Sequence, residues 1–210
     1  AVVEKHPEIT VIGTVGPFYT GTDYVEGWDL ATRLKVPVVD EHYYQPTGWF
    51  IHNQDFYDRY DRSKSKVYLG EYAAHLPGRP NNIETALSEA LYLTSVERNA
   101  DVVVMTSYAP LLAKEGFTQW TPDLIYFNNT EVKPTTGYYV QKLFGQNSGD
   151  AYIPSQISLS DKREEVKKRV SLSVVRDSKT NDIILKMVNL LPAPVESDFD
   201  FSGLKIAGQE

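Results

Sequence analysis

One acidic residue, Glu71, follows a short apolar strand in the segment Lys66–His75, which reads KVYLGEYAAH. Residues 67–70 have the β-branched and aromatic composition of a strand and lead directly to this carboxylate. A carboxylate at the point where an apolar strand ends is what a β/α enzyme places at its active face. Residues 38–44, VVDEHYY, end a second strand with an acid, a His and two Tyr.

Alternation of side chains along a strand places Asp40, His42 and Tyr44 on one face. In the following strand, we expect Glu71 to share a face with the apolar residues two and four positions before it. If both faces open into the same pocket, His42, Tyr44 and Glu71 converge there.

Structural roles for these residues stay open at this point. Glu71 could equally be a buried acid paired with a neighbouring Arg or Tyr, and the residues alone favour neither reading. For His42 taken alone, a hydrogen-bonded structural role is favoured. For Asp40 and Glu41, we expect structural salt bridges between strands.

The reaction class follows from which groups are present. The four histidines, His6, His42, His52 and His75, are scattered, which argues against a metal centre. No GxSxG motif or complete glycine-rich phosphate loop occurs, so the sequence indicates no cofactor. Carboxylate, Tyr, Trp and His around a cleft suit glycosidic chemistry, which needs two carboxyl groups. The sequence offers one strong candidate, Glu71.

Composition limits the classes of partner. The chain has 210 residues and a formal net charge of −7, which argues against nucleic acid or an anionic membrane surface as a partner. Aromatic residues make up 12%, including 14 Tyr and 3 Trp. These rings could fill a core or line a carbohydrate cleft, and composition does not separate the two.

The cellular compartment is not determined by the sequence. There is no Cys, so disulfides and thiolate metal sites are excluded. No apolar run approaches the roughly 20 residues that a membrane-spanning helix needs. The first ten residues, AVVEKHPEIT, do not read as a signal peptide. A secreted or periplasmic location is favoured, and a cytoplasmic one stays open.

Strands and helices alternate over residues 1–149. The predicted strands are residues 8–13, 36–44, 66–71 and 101–107, and the predicted helices are residues 23–35, 55–62, 82–99 and 138–145. This order is typical of a parallel sheet with helices outside it. It fits a small open sheet or half of a (β/α)₈ barrel. Polar and aromatic residues gather after each strand, which favours the C-terminal half of the barrel.

The pattern changes in residues 150–210. Residues 168–177 and 182–190 alternate apolar and polar side chains on either side of the turn sequence SKTN. Residues 195–201 are a third candidate strand, and the charged residues 161–170 are predicted to be a solvated loop. We expect part of an antiparallel β-sandwich here, as a second domain.

Several long motifs resemble the α-L-arabinofuranosidases of glycoside hydrolase family 51. The similarity covers nearly the whole chain and keeps the order and spacing of the motifs. They read VDEHYYQPTGWF, YDRYDR, KVYLGEYAAH, ALSEALYLTSVERNADVVVMTSYAPLLA, WTPDLIYFNN and GYYVQKLF.

The resemblance implies a (β/α)₈ barrel followed by a β-sandwich, and a retaining double displacement on arabinan or arabinoxylan. It implies that the Glu of GEYA, Glu71, is the nucleophile. It also implies that His42 and Tyr44 bind the sugar, and that the Trp of the WxPD motif, Trp120, borders the pocket.

One family motif does not occur. The acid/base Glu of the family sits in an Asn-Glu pair, and this sequence contains no such pair. We therefore expect the acid/base and the first four barrel strands to lie upstream of residue 1, and the chain alone to be inactive.

Two other hypotheses stay open. A non-catalytic carbohydrate-binding protein on a degenerate glycosidase scaffold would keep the same strand ends without turnover. Half a barrel would also expose two long strand edges, so self-association into a homo-oligomer is an expectation for the isolated chain.

Overall fold

The computed structural model describes residues 2–203 as a mixed α/β protein. The helices and strands of its first part are α1 (Val2–Lys5), β1 (Ile12–Thr14), α2 (Thr22–Leu34), β2 (Val38–Pro46), α3 (Thr47–His52), β3 (Lys66–His75), α4 (Ile83–Arg98) and β4 (Val103–Thr106). The predicted helix over residues 55–62 is reduced to a single 3₁₀ turn, Tyr57–Arg59. No helix among the described residues is both long and apolar enough to cross a bilayer.

The four strands form one parallel sheet in the order β1-β2-β3-β4. This confirms the parallel sheet expected from the alternation of strands and helices. Val39 and Val67 pair across β2 and β3 and are fully buried, as expected for strands with helices packed on them. Helix α4 is capped by Asn82, whose side chain accepts hydrogen bonds from the Glu84 and Thr85 backbone N–H groups.

A small sheet separates β4 from the next long helix, whereas the sequence pattern predicted no strand between residues 107 and 138. It consists of β5 (Leu112–Lys114), β6 (Ile125–Phe127) and β7 (Val132–Pro134), with β6 in the middle. Strands of three residues are too short to show a periodic pattern, which is why the sequence did not indicate them. Helix α5 (Thr136–Gln146) follows.

The last part of the described chain is an antiparallel sheet in the order β10-β9-β8. Its strands are β8 (Ala151–Tyr152), β9 (Val170–Asp177) and β10 (Asp182–Asn189). The predicted hairpin is confirmed, and Asn181 adopts a left-handed φ of 65° in its turn.

Two predictions in this part were wrong. Residues 195–201 form no ladder among the described residues. Asp has a low strand propensity, and the Asp200 side chain accepts a hydrogen bond from the Ser202 backbone N–H. The Phe199 and Phe201 rings stack on each other instead, with centroids 6.0 Å apart. The charged segment contains a short helix, α6 (Glu164–Lys167), supported by an ion pair between its first and last residues.

A buried ion pair joins the antiparallel sheet to helix α4. Lys186 Nζ of β10 lies 2.9 Å from Glu97 Oε1, and the two side chains are 4% and 18% exposed. Lys186 also donates to the Asn147 carbonyl oxygen at 2.8 Å, and Ser173 donates to Glu97. Each charge therefore has a partner, which is the condition for burying it.

We expect Lys186→Ala to lower the free energy of unfolding by about 3 kcal/mol, because the Glu97 carboxylate would be left without its counter-ion. Urea denaturation followed by circular dichroism measures this change. The exposed turn residue Lys179 provides the control, since Lys179→Ala should be near neutral. The double variant Lys186→Met/Glu97→Gln should recover much of the loss, and equal destabilisation by all variants would contradict the pairing argument.

Strand β3 runs past the end of β4. Beyond that point, a buried carboxyl group accepts a hydrogen bond from the backbone of β3. The Ala74 backbone N–H donates to Glu89 Oε1 of helix α4 at 2.8 Å. Burial raises the pKa of Glu89 from 4.5 to about 8. The protonated form is therefore the one that the fold favours near neutral pH.

The pKa of Glu89 is higher in the folded chain than in the unfolded one, so its contribution to stability is complete below pH 4.5. That contribution is lost as the pH rises through about 8. We expect Glu89→Gln to remove this dependence of the free energy of unfolding on pH. Above pH 8 the variant should be more stable than the wild type, by on the order of 4 kcal/mol once Glu89 of the wild type is fully ionised. Denaturation series from pH 4 to 9 test it, with the exposed Glu26→Gln as control. Parallel curves for wild type and Glu89→Gln would contradict it.

Candidate active site

A β-bulge in strand β3 decides where Glu71 points. Glu41 pairs with Leu69, but His42, the next residue of β2, pairs with Glu71, so Gly70 is an extra residue. The bulge turns Glu71 towards the face that carries His42. The expectation that Glu71 shares a face with Leu69 is therefore wrong, because simple alternation does not hold across a bulge.

Gly70 is required by the carboxylate of Asp40. A Cβ atom on Gly70 would collide with Asp40 Oδ1 and would lie 2.9 Å from Asp40 Cγ and 3.2 Å from His42 Nε2. The Asp40 side chain thus occupies the space where any other residue would place its Cβ. The bulge and its glycine are coupled to an acidic residue on the neighbouring strand.

The structure brings Glu71, Tyr44 and His42 together across the paired strands β2 and β3. Strand β3 does not end at Glu71 as predicted but continues to His75. Tyr44 Oη donates a hydrogen bond of 2.6 Å to Glu71 Oε2, and His42 Nδ1 lies 3.6 Å from the same oxygen. The Glu71 side chain keeps 41% of its surface exposed, so the carboxylate is open to an incoming molecule. Its other oxygen, Oε1, has no hydrogen-bond partner among residues 2–203.

The opposite side of the His42 ring contacts Asp40. His42 Nε2 lies 2.7 Å from Asp40 Oδ2, so the imidazole stands between two carboxylates. Asp40 Oδ1 is buried and has no hydrogen-bond partner in the described part of the chain. Asp40 thus pairs within its own strand, instead of forming the predicted salt bridge between strands.

Burial raises the pKa of Tyr44, and the hydrogen bond to Glu71 and the charge of Glu71 raise it further. The phenol therefore stays protonated and can act as a donor. Its ring stacks on His75, the last residue of β3, with centroids 5.6 Å apart and planes at 19°. His75 was not among the residues predicted for the site.

Glu41 lies on the opposite face of β2 and is only 1% exposed. Its partners are neutral, so the predicted salt bridge is wrong for this residue as well. The donors are three phenols and one indole, namely Tyr24 (3.2 Å), Tyr57 (3.1 Å), Tyr60 (2.7 Å) and Trp28 (3.0 Å). Desolvation raises the pKa of Glu41, and these four hydrogen bonds oppose the shift.

Trp120, the fourth residue predicted for the site, lies between β5 and β6 and is 65% exposed. Its backbone N–H and carbonyl both hydrogen-bond to the Thr118 hydroxyl. The neighbouring Thr121 carbonyl accepts a hydrogen bond from Arg79, which lies in the loop after β3. Trp120 makes no ring contact with Glu71, His42 or Tyr44, and its role stays a prediction.

Among the described residues, no group of three His, Asp or Glu side chains is arranged to hold a metal ion. The site presents an accessible carboxylate, a phenol that donates to it and an imidazole beside it.

Comparison with known proteins identifies the family to which the chain belongs. The model of the α-L-arabinofuranosidase C-terminal domain matches residues 53–209, most of the chain. The chain therefore belongs to the α-L-arabinofuranosidases of glycoside hydrolase family 51.

Individual relatives of the chain are also named as α-L-arabinofuranosidases. An extracellular exo-α-L-arabinofuranosidase of Streptomyces chartreusis is 47% identical over 156 residues, covering 74% of this chain and 18% of the relative. A probable α-L-arabinofuranosidase A of Aspergillus terreus is 35% identical over 157 residues, covering 71% and 23%. The structure of an arabinose-bound family 51 α-L-arabinofuranosidase matches 90% of this chain and 30% of its own, with 29% identity and a TM-score of 0.75. The chain thus spans about a fifth of the length of these curated relatives.

We expect Gly70→Ala to lower the free energy of unfolding by about 2 kcal/mol, because the added methyl group would displace the Asp40 carboxylate. Gly48→Ala is the matched control, since a Cβ there meets nothing within 4 Å. Adding Asp40→Ala to Gly70→Ala should restore part of the lost stability. Chemical denaturation of the four proteins provides the measurement, and equal effects at positions 48 and 70 would refute the steric argument.

Proposed function

We propose that the chain is the nucleophile-bearing part of a retaining α-L-arabinofuranosidase. The enzyme releases terminal non-reducing α-L-arabinofuranosyl residues from arabinan or arabinoxylan by double displacement, with Glu71 as the nucleophile. The observation that carries this proposal is the Glu71 carboxylate of β3, which is exposed on one side and accepts a hydrogen bond of 2.6 Å from Tyr44 on the other. Membership of the family supplies the substrate class.

In the first step, Glu71 Oε1 attacks the anomeric carbon, the glycosidic bond breaks and a covalent glycosyl-enzyme forms. Tyr44 holds Oε2, so the carboxylate presents its other oxygen to the sugar. In the second step, water attacks the anomeric carbon and Glu71 leaves as a carboxylate, which the Tyr44 hydroxyl stabilises as its charge returns. His42 and Tyr44 also contact the arabinose, and Trp120 borders the pocket.

A second carboxyl group must protonate the leaving oxygen and then activate water. We infer that it lies outside this sequence, which has no Asn-Glu pair. Residues 1–149 are then the second half of a (β/α)₈ barrel, and residues 150–210 are the start of a β-sandwich. On this proposal the chain alone does not hydrolyse substrate, and it needs no cofactor.

A secreted or periplasmic location goes with this proposal. The Streptomyces chartreusis relative is named extracellular, and polymeric plant substrates lie outside the cell that degrades them. Assembly into a homo-oligomer stays a prediction.

In the complete enzyme that carries this segment, we expect Glu71→Ala to lower kcat on an aryl α-L-arabinofuranoside by about 10⁴-fold or more, because no covalent intermediate can form. Azide should fill the space of the lost carboxylate and attack the same carbon, giving the β-arabinofuranosyl azide. Kinetics with and without azide, and analysis of the product by NMR, provide the measurement.

The exposed acid Glu26 is the matched control, and Glu26→Ala should keep wild-type turnover. Near-normal activity of Glu71→Ala would exclude it as the nucleophile. A wild-type enzyme that binds arabino-oligosaccharides without hydrolysing them would replace this proposal with that of a carbohydrate-binding protein.

A further inference from the structure

His75 takes no part in the two steps described above, although it ends the strand that carries Glu71. Its imidazole is partly buried and lies nearly parallel to the Tyr44 ring, with centroids 5.6 Å apart and planes at 19°. This is the offset-stacked geometry that aromatic pairs prefer. The ring that His75 covers is the one whose hydroxyl donates to Glu71.

The register of the two strands explains why these rings meet. Tyr44 pairs with Ala73, and His75 pairs with Pro46, so Tyr44 and His75 are diagonal neighbours across β2 and β3. Ala73 is too small to fill the space opposite Tyr44. The phenol ring can therefore lean against His75, two residues further along the strand.

We propose that His75 is a positioning residue, which holds the Tyr44 ring so that its hydroxyl stays on Glu71 Oε2. This inference rests on the proposed function of Glu71 as nucleophile. A tyrosine ring on an open strand face can rotate away from its acceptor, and a flat ring against one side removes that freedom. Glu71 then keeps one oxygen occupied and the other directed at the sugar.

The charge state of His75 suits this role. Burial lowers its pKa, and the nearby Arg79 lowers it further. The ring is therefore neutral near neutral pH and stacks on Tyr44 without adding a charge beside the nucleophile. Arg79 also donates to the Thr121 carbonyl at 3.3 Å, which joins the loop after β3 to the Trp120 segment.

A double-mutant cycle in the complete enzyme tests the inference. His75→Ala should lower kcat on an aryl α-L-arabinofuranoside about fivefold with little change in KM, the size expected for loss of one aromatic pair. His75→Phe, which keeps a flat ring, should restore kcat to within about twofold. In a Tyr44→Phe background, His75→Ala should have no further effect, because the hydroxyl that it positions is already absent.

Two observations would overturn the inference. One is an equal loss from His75→Ala in both backgrounds, which would mean that His75 acts independently of Tyr44, for example by touching the substrate. The other is failure of His75→Phe to restore kcat while its thermal unfolding matches that of the wild type. The exposed His52→Ala serves as control and should leave kcat unchanged.

A spectroscopic measurement separates positioning from general stability. The flip rate of the Tyr44 ring, measured by NMR with labelled tyrosine, should rise in His75→Ala and should stay close to that of the wild type in His75→Phe. An unchanged flip rate in His75→Ala would overturn the inference. The azide experiment on Glu71→Ala tests the role of Glu71 as nucleophile independently of His75. The two experiments together therefore show which of the two proposals is wrong if one of them fails.

Discussion

The extra residue at Gly70 is the constraint on which the candidate site depends. Without the bulge, alternation would leave Glu71 on the same face as Leu69, which is buried with the core. With it, the carboxylate faces His42 and Tyr44 and remains open to solvent. The glycine is needed because the Asp40 carboxylate fills the space beside it. A steric relation between two strands thus sets the chemistry of the site.

Strand β2 uses its two faces for two different purposes. Glu41 points towards the helices and is held by four neutral donors, so it stabilises the core and stays inaccessible. The next residue, His42, and Tyr44 point the other way and meet Glu71. Neighbouring residues of one short motif, DEHYY, are therefore divided between structure and the site by strand alternation alone.

Local patterns in the sequence predicted the parallel sheet, the hairpin and the meeting of His42, Tyr44 and Glu71. They could not predict the bulge, because it depends on contact between Asp40 and Gly70, which are 30 positions apart. The stacking of His75 on Tyr44 was missed for the same reason, since it follows from strand register. Residues 195–201 show the opposite error, because they alternate like a strand but form no ladder in the described sheet.

The strand that carries Glu71 is longer than its neighbour β4, and single hydrogen bonds from other residues satisfy backbone groups on its edge beyond β4. Ser107 donates to the Leu69 carbonyl through its N–H and to the Gly70 carbonyl through its hydroxyl, and further along Glu89 accepts from Ala74. These contacts together hold the backbone of β3 on both sides of the bulge. The buried carboxyl group that completes this edge favours its protonated form and weakens the fold at high pH. The contacts that hold the backbone around Glu71 therefore cost stability at high pH, because one of them uses a buried carboxyl group.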